Sequence, residues 1–236
     1  MNIAIIGYGK MGKEIEKVLV ERGHTITLRS SEQVPFFAAD LKGTDVAIEF
    51  TRPDKAAENI LKCFDANCPV VVGTTGWYTR LPEIRDLALS TGQSILYSSN
   101  FSIGVNVVFH LNRELARIMN TLPEYEPAIS EIHHAAKLDA PSGTAITLAE
   151  GILEEIPGKT SWVSGAAMAN DQLPVFSERT GDVPGTHIIT YESASDKITL
   201  MHEARNRSGF AMGAAKAAEW LHGKKGCFTM KDFLKF

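Results

Sequence analysis

The run Gly7-Tyr8-Gly9-Lys10-Met11-Gly12 constrains this chain more than any other feature, because of what stands on either side of it. Before it, residues 2–6 form a short, mostly apolar segment of the kind that makes a strand buried on both faces of a parallel sheet. After it, Met11, Ile15, Val18 and Leu19 recur at helical spacing, and Gly23 stands where such a helix would stop. A G-x-G-x-x-G run between a strand and a helix has a physical reading. The first glycine permits a tight turn, the second lets backbone approach a pyrophosphate, and the third lets helix pack closely on strand. Unpaired N–H groups at the helix start then hold the anion. Gly7, Tyr8, Gly9, Lys10, Met11 and Gly12 are therefore candidate contacts of a nicotinamide or flavin dinucleotide.

The following segments continue the pattern. Strand-like runs at 25–28, 46–50, 70–72 and 94–97 alternate with helical patterns at 54–66 and 81–91, which predicts a parallel sheet with crossover helices. In such sheets ligands sit at the carboxyl ends of the strands. Gly73, Thr74 and Thr75, then Ser98, Ser99, Asn100 and Phe101, end successive strands and are candidates for the nicotinamide end of the site, with weaker support for Phe50 and Thr51. The end of the second strand reads Leu28-Arg29-Ser30-Ser31, where an NAD site usually carries an acid. Arg29 and the two hydroxyls suit a 2′-phosphate, while Glu32 stands about where the acid is expected, so the reading favours NADPH with NADH also accepted.

From about Gly104 the rhythm changes. One helix, with Val108, Leu111, Leu115, Ile118 and Met119 on a face, leads into a strand at 128–133 and then a polar loop containing Pro and Gly. Residues 186–204 read as an antiparallel hairpin turning at Ser193-Ala194-Ser195-Asp196, and 209–221 as a helix. These breaks predict a dinucleotide-binding domain over 1–104, rejoined by 208–236, and a substrate and oligomerisation domain over 105–207.

The composition narrows the partners. With a net charge of -4 and no basic cluster, the chain has no field to attract a phosphate backbone, so nucleic acid is not expected. Charged residues interrupt every apolar run before the ~18 residues of a membrane span, so no membrane partner is expected. The first residues lack the basic region and cleavage site of a secretory signal, which predicts a cytoplasmic protein. Cys63, Cys68 and Cys227 lie in no metal-ligand spacing, and reduced thiols without a metal are expected.

The chemistry concentrates between Glu131 and Thr144. His133 and His134, adjacent on a strand, point to opposite faces and suit acid–base work or substrate contact better than shared metal ligation. Lys137 can donate a proton and attract an anion, and Ser142-Gly143-Thr144, opening an apolar helix pattern, can hold a carboxylate.

This segment, Glu-Ile-His-His-Ala-Ala-Lys-Leu-Asp-Ala-Pro-Ser-Gly-Thr, resembles the motif of the 4-hydroxy-tetrahydrodipicolinate reductase (dihydrodipicolinate reductase) family, complete from 131 to 144. GYGKMG at 7–12, EFTRPDKA at 49–56, GTTGW at 73–77, NFSIGVN at 100–106 and GDVPGTH at 181–187 are similar to further family segments, so the resemblance spans nearly the whole chain. It implies a Rossmann-type dinucleotide-binding domain plus a mixed α/β domain for substrate binding and oligomerisation, in a homotetramer of the lysine and diaminopimelate route. It also implies that His133 donates or accepts a proton, that Lys137 donates one, and that His134, Gly143, Thr144 and Arg207 contact the dicarboxylate substrate. The chain departs from the pattern at Arg29, which replaces the acid often found there and puts a strict NADH preference in doubt. Two other classes compete. A different Rossmann dehydrogenase, such as a semialdehyde enzyme, would want a reactive cysteine that this segment lacks, and a dinucleotide sensor without turnover would not need His133 and Lys137.

Overall fold

The computed structural model describes residues 1–206 and 208–236. The chain forms two compact units, Met1–Ile103 with Ser208–Phe236, and Gly104–Arg207, of which residue 207 lies outside the described set.

In the first unit the strands are β1 (Asn2–Ile6), β2 (Thr25–Ser30), β3 (Val46–Glu49), β4 (Val70–Val72) and β5 (Ser94–Tyr97), with helices α1 (Lys10–Glu21), α2 (Pro53–Asp65) and α3 (Leu81–Thr91) between them. The second unit follows with α4 (Ile103–Met119), β6 (Glu126–His133), α5 (Gly143–Glu155), β7 (Ser161–Ser164), β8 (Gln172–Arg179), β9 (Thr186–Glu192) and β10 (Lys197–Glu203). The chain then returns to the first unit with α6 (Ser208–Leu221), β11 (Gly226–Phe228) and α7 (Met230–Leu234).

The first sheet runs β11-β5-β4-β3-β1-β2, with every neighbouring pair parallel. Parallel sheets are covered on both faces, and the residues of β1 divide accordingly. Ile3 and Ile5 join the cluster containing Ile15, Leu19 and the α6 alanines, while Ala4 and Ile6 join Ala56, Ile60 and Ile84 from α2 and α3. The small residues of α6 let the helix lie close to its neighbours. At Gly213 an added Cβ would fall 1.7 Å from the carbonyl oxygen of Phe101.

The second sheet runs β10-β9-β6-β8-β7 and is mixed, with β6 antiparallel to β9 and parallel to β8. One face packs Ile129, Leu173, Val175, Ile189 and Tyr191 against Val108, Ala116 and Met119 of α4 and Ala145, Leu148, Ala149 and Ile152 of α5. Buried Asn112 ties the two helices by donating to the Leu148 carbonyl at 2.9 Å.

The alternation and the hairpin predicted from periodicity are present, with boundary differences: β2 runs on to Ser30, β3 stops at Glu49, and α4 starts at Ile103. Strands β7, β8 and β11 escape sequence reading. β7 has no fully buried position to create an apolar rhythm, β8 carries Pro174, and β11 is three residues long.

Gly213→Ala should destabilise the protein by about 1–3 kcal/mol through overpacking against the Phe101 carbonyl. Gly209→Ala on the same helix, where the nearest atom to an added Cβ is 3.9 Å away, should be neutral or mildly stabilising. Urea unfolding of the two variants checks the contrast.

Candidate active site

The glycine turn is built for contact with backbone. Gly7 has φ +100°, and a Cβ there would lie 2.0 Å from the Phe50 carbonyl oxygen. At Gly12 it would meet the Gly7 carbonyl at 2.4 Å and Ile5 at 3.2 Å, whereas at Gly9 it would meet nothing within 4 Å. The N–H groups of Gly7 and Tyr8 both donate to the Ser30 carbonyl, at 2.9 and 2.7 Å, fixing the turn to the end of β2. Beside it is a cavity of about 460 Å³ whose wall includes Gly7, Tyr8, Gly9, Ser31, Glu32 and Thr51. A second hollow of about 240 Å³, lined by Met11, Gly73, Thr74 and Thr75, shares Phe50 and Thr51 with it.

Below these hollows the buried Glu49 accepts from the Thr51 hydroxyl and from Asn59 at 3.3 Å, and the Thr51 N–H donates to the Thr74 hydroxyl at 2.7 Å. Burial raises the Glu49 carboxyl above its ordinary range, against the hydrogen bonds from Thr51, Thr74 and Asn59. A Cβ at Gly73 would overlap the Phe50 ring at 2.1 Å, so glycine is what allows the ends of β3 and β4 to approach.

Other candidates are placed differently. The Ser98–Phe101 loop folds on itself, with Ser98 donating to the Asn100 carbonyl at 2.8 Å, and Phe101 is a core residue tilted against Phe50 at 5.8 Å. Lys10 is exposed at the start of α1. Arg29 does not line the larger cavity. Its guanidinium is bound by Glu16, with Nε at 3.0 and 3.2 Å from the two carboxylate oxygens, and lies 5.9 Å from the centre of the Tyr8 ring. Arg29, and then the Tyr8 hydroxyl, hold the Glu16 carboxyl below its usual range. At the cavity wall Glu32 pairs instead with Arg52 at 3.0 Å.

In the second unit one buried carboxylate gathers several elements. Glu131 and His133 alternate with solvent-side residues on β6 and share its covered face. Glu131 Oε1 accepts from the Ser142 N–H at 2.9 Å, the Ser177 hydroxyl at 2.8 Å and Arg179 at 2.9 Å. Burial acts to raise the Glu131 carboxyl, but the bonds from Ser142, Arg179 and Ser177 outweigh it and leave the group below its ordinary range. The other oxygen, Oε2, lies 3.4 Å from His133 Nδ1 and 3.8 Å from His187 Nε2. The two imidazoles meet edge to face with centroids 5.2 Å apart. Desolvation lowers both histidines, opposed for His133 by Glu131 and reinforced by Lys137 and Arg179, and His187 falls to about 4.

Lys137 is paired with Asp139 at 2.7 and 2.8 Å. His134 is half-buried, and its carbonyl accepts the Lys137 N–H at 3.1 Å. Ser142 caps α5 by accepting from the Ala145 N–H at 3.2 Å, which leaves Gly143 and Thr144 in the first helical turn with open space at the Gly143 α-carbon. Arg207 lies outside the described residues. Glu131, His133 and His187 bring donor atoms within 4.8 Å of one another, yet the Arg179 cation on the same carboxylate opposes a metal ion there. Sequence reading missed Glu131, Ser177, Arg179, Gly185 and His187 as parts of this site. The signals present were Glu131 two residues from His133, the spacing that puts two strand residues on one face, and Gly185 and His187 within GDVPGTH at 181–187.

Two family models match the chain, dihydrodipicolinate reductase N-terminus over residues 29–101 and dihydrodipicolinate reductase C-terminus over 104–234. The chain belongs to the dihydrodipicolinate reductase family. It is similar to the 4-hydroxy-tetrahydrodipicolinate reductase of Christiangramia forsetii, 46% identical over 234 residues covering 99% of this chain and 98% of that protein. The enzyme of the same name from Akkermansia muciniphila is 36% identical, covering 96% and 94%. Among solved structures, the dipicolinate-bound dihydrodipicolinate reductase from Paenisporosarcina sp. TG-14 shares the fold, with a TM-score of 0.78, 24% identity and 97% of each chain covered. Members of the dihydrodipicolinate reductase family are oxidoreductases that use NAD(P)H, and the glycine turn, the 460 Å³ cavity and the open Gly9 position fit such a dinucleotide.

The depressed His187 sets a pH dependence. Its folded pKa lies below its unfolded value near 6.5, so it contributes stability that is complete above pH 6.5 and is lost as pH falls towards about 4. That shift corresponds to about 3 kcal/mol. Unfolding free energies at pH 7 and pH 4.5 should differ less in His187→Gln than in the unsubstituted protein; equal pH dependence would contradict the assignment.

Proposed function

We propose that this chain reduces the cyclic imine 4-hydroxy-tetrahydrodipicolinate to tetrahydrodipicolinate with loss of water, the step of lysine and diaminopimelate biosynthesis for which its relatives are named, and that the Glu131–Thr144 segment carries the chemistry. The observation that supports this most is the grouping, within one strand end and the loop that follows it, of a buried histidine, a lysine whose charge acts on it, and a helix N-terminus.

Loss of the 4-hydroxyl from the substrate gives a conjugated system open to hydride at C4. An NAD(P)H held at the glycine turn would supply that hydride. The resulting enamine needs a proton on a ring carbon, and His133 and Lys137 are the groups that hold one. Lys137 exchanges its exposed partner Asp139 for a substrate carboxylate, and the first turn of α5 at Gly143 and Thr144 takes a carboxylate on its N–H groups. His134 and Arg207 are proposed as further substrate contacts. In the first unit, residues 7–12, 73–75 and 98–101 are proposed to hold the dinucleotide, with Met11, Gly73, Thr74 and Thr75 around the smaller hollow.

NADPH is the proposed preference, with NADH also accepted. Arg29 must leave Glu16 to meet a 2′-phosphate, while Ser30 and Ser31 already face the cavity. The protein is proposed to work in the cytoplasm as a homotetramer, an association supported by the exposed Phe176, Ile198 and Met201 on β8 and β10.

Mixing the protein with NADPH and freshly prepared cyclic imine should consume the nicotinamide absorbance; no consumption would contradict the reading. His133→Ala and Lys137→Ala should each lose kcat by about 10²–10⁴-fold with little change in cofactor affinity, while Thr144→Ala should act mainly on KM. Arg29→Ala should weaken NADPH by about 1–3 kcal/mol and spare NADH, as read by fluorescence titration; equal losses would contradict a 2′-phosphate contact.

A further inference from the structure

Two complementary groups stand unsatisfied at the centre of the second unit. Glu131 Oε2 and His133 Nδ1 are both buried, neither has a hydrogen-bond partner among the described residues, and they lie 3.4 Å apart. Buried polar atoms rarely stay unpaired, and hydrogen bonds at reacting groups are often long before substrate binds. The carboxylate itself has little freedom to move. Its Oε1 is gripped by backbone, hydroxyl and guanidinium donors from three places in the chain, Ser142, Ser177 and Arg179.

The other imidazole nitrogen has a different environment. An added Cβ at Gly185 would sit 3.0 Å from His133 Nε2, so the glycine, at φ +150°, keeps space beside that atom. His187 packs edge to face on the His133 ring, and its Nε2 lies 3.3 Å from the Ser142 hydroxyl, which closes the remaining side of the carboxylate.

We infer that Glu131 is a positioning residue that fixes His133 as the Nδ1–H tautomer, so that Nε2 is the nitrogen that takes up and releases the proton. This rests on the reading of His133 as a proton carrier. The charged and titratable groups acting on His133 are Glu131, Lys137, Arg179 and Asp139, with His187 against its ring. Of these only Glu131 is both buried and in contact with Nδ1.

The substitution Glu131→Gln removes the charge and turns a donor towards His133. Because the donors from Ser142, Ser177 and Arg179 all converge on Oε1, the glutamine oxygen stays there and its NH₂ group turns to His133. Nδ1 must then accept, and the imidazole switches to the Nε2–H tautomer. Nitrogen-15 histidine spectra of the full-length protein, assigned with His133→Gln, should report Nδ1–H for His133 in the unsubstituted chain and Nε2–H in Glu131→Gln. In the glutamine variant kcat should fall by about 10²–10⁴-fold, as expected for a wrong tautomer, with KM for the cyclic imine nearly unchanged. The pH limb belonging to His133 should move to lower pH, because an opposite charge that favours the imidazolium is gone. Glu131→Asp, which keeps the charge, should retain the Nδ1–H form and recover part of the rate.

An Nε2–H signal in the unsubstituted protein overturns the inference without need of any variant. So does an unchanged tautomer and rate in Glu131→Gln. A full rate in His133→Gln overturns the proton-carrier reading instead, and because the tautomer is read by spectroscopy alone, the two failures are distinguishable.

Discussion

A buried carboxylate is the fixed point of the second unit. Glu131 lies on β6, the middle strand of its sheet, and is 1% exposed. An isolated charge in that position would be neutralised or destabilising. It stays ionised because Ser177 and Arg179 from the neighbouring β8 and the Ser142 N–H at the head of α5 all donate to it. The same bonds determine where the rest of the segment goes. Arg179 also donates to the Asp139 carbonyl at 2.6 Å, so the polar loop between β6 and α5 is held over the sheet by the guanidinium that holds the carboxylate. The head of α5 and the loop that carries the lysine are thereby tied to the strand that carries the histidine.

The first unit relies on a different constraint, the absence of side chains where backbone must approach backbone. The Gly7 turn sits against the Phe50 carbonyl, Gly12 against the Gly7 carbonyl, and Gly73 against the Phe50 ring. These contacts join the ends of β1, β3 and β4 tightly enough that the wall of both hollows is made by neighbouring loops on rigid strands. Gly9 alone among the three motif glycines faces open space, which suits a position that a phosphate approaches.

Much of this was legible in the sequence for a physical reason. Short continuous apolar runs mark strands buried on both faces and the 3.6-residue period marks the buried face of a helix, so β1, β4 and β5 announce themselves, as do the helix after the glycine turn and the two β-rich runs of the β9–β10 hairpin. The motif segment from Glu131 to Thr144 is local, and its histidines and lysine could be named from it. What sequence cannot display is pairing at long range. Ser177, Arg179 and His187 stand 46, 48 and 56 residues beyond Glu131, and only the parallel β6–β8 and antiparallel β6–β9 registers bring them together. Arg29 is the converse case. Its place at a strand end suggests an anion, but Glu16 of α1 already occupies its guanidinium.

Glu131 acts on the reaction only through His133, and a double-mutant cycle on kcat tests that role directly. If it holds, the Glu131→Gln/His133→Gln double variant should be about as slow as His133→Gln alone, because the carboxylate has nothing left to orient. Losses that multiply, with the double variant slower than either single by the full product of the two effects, would show that Glu131 serves the chemistry by some route other than the histidine.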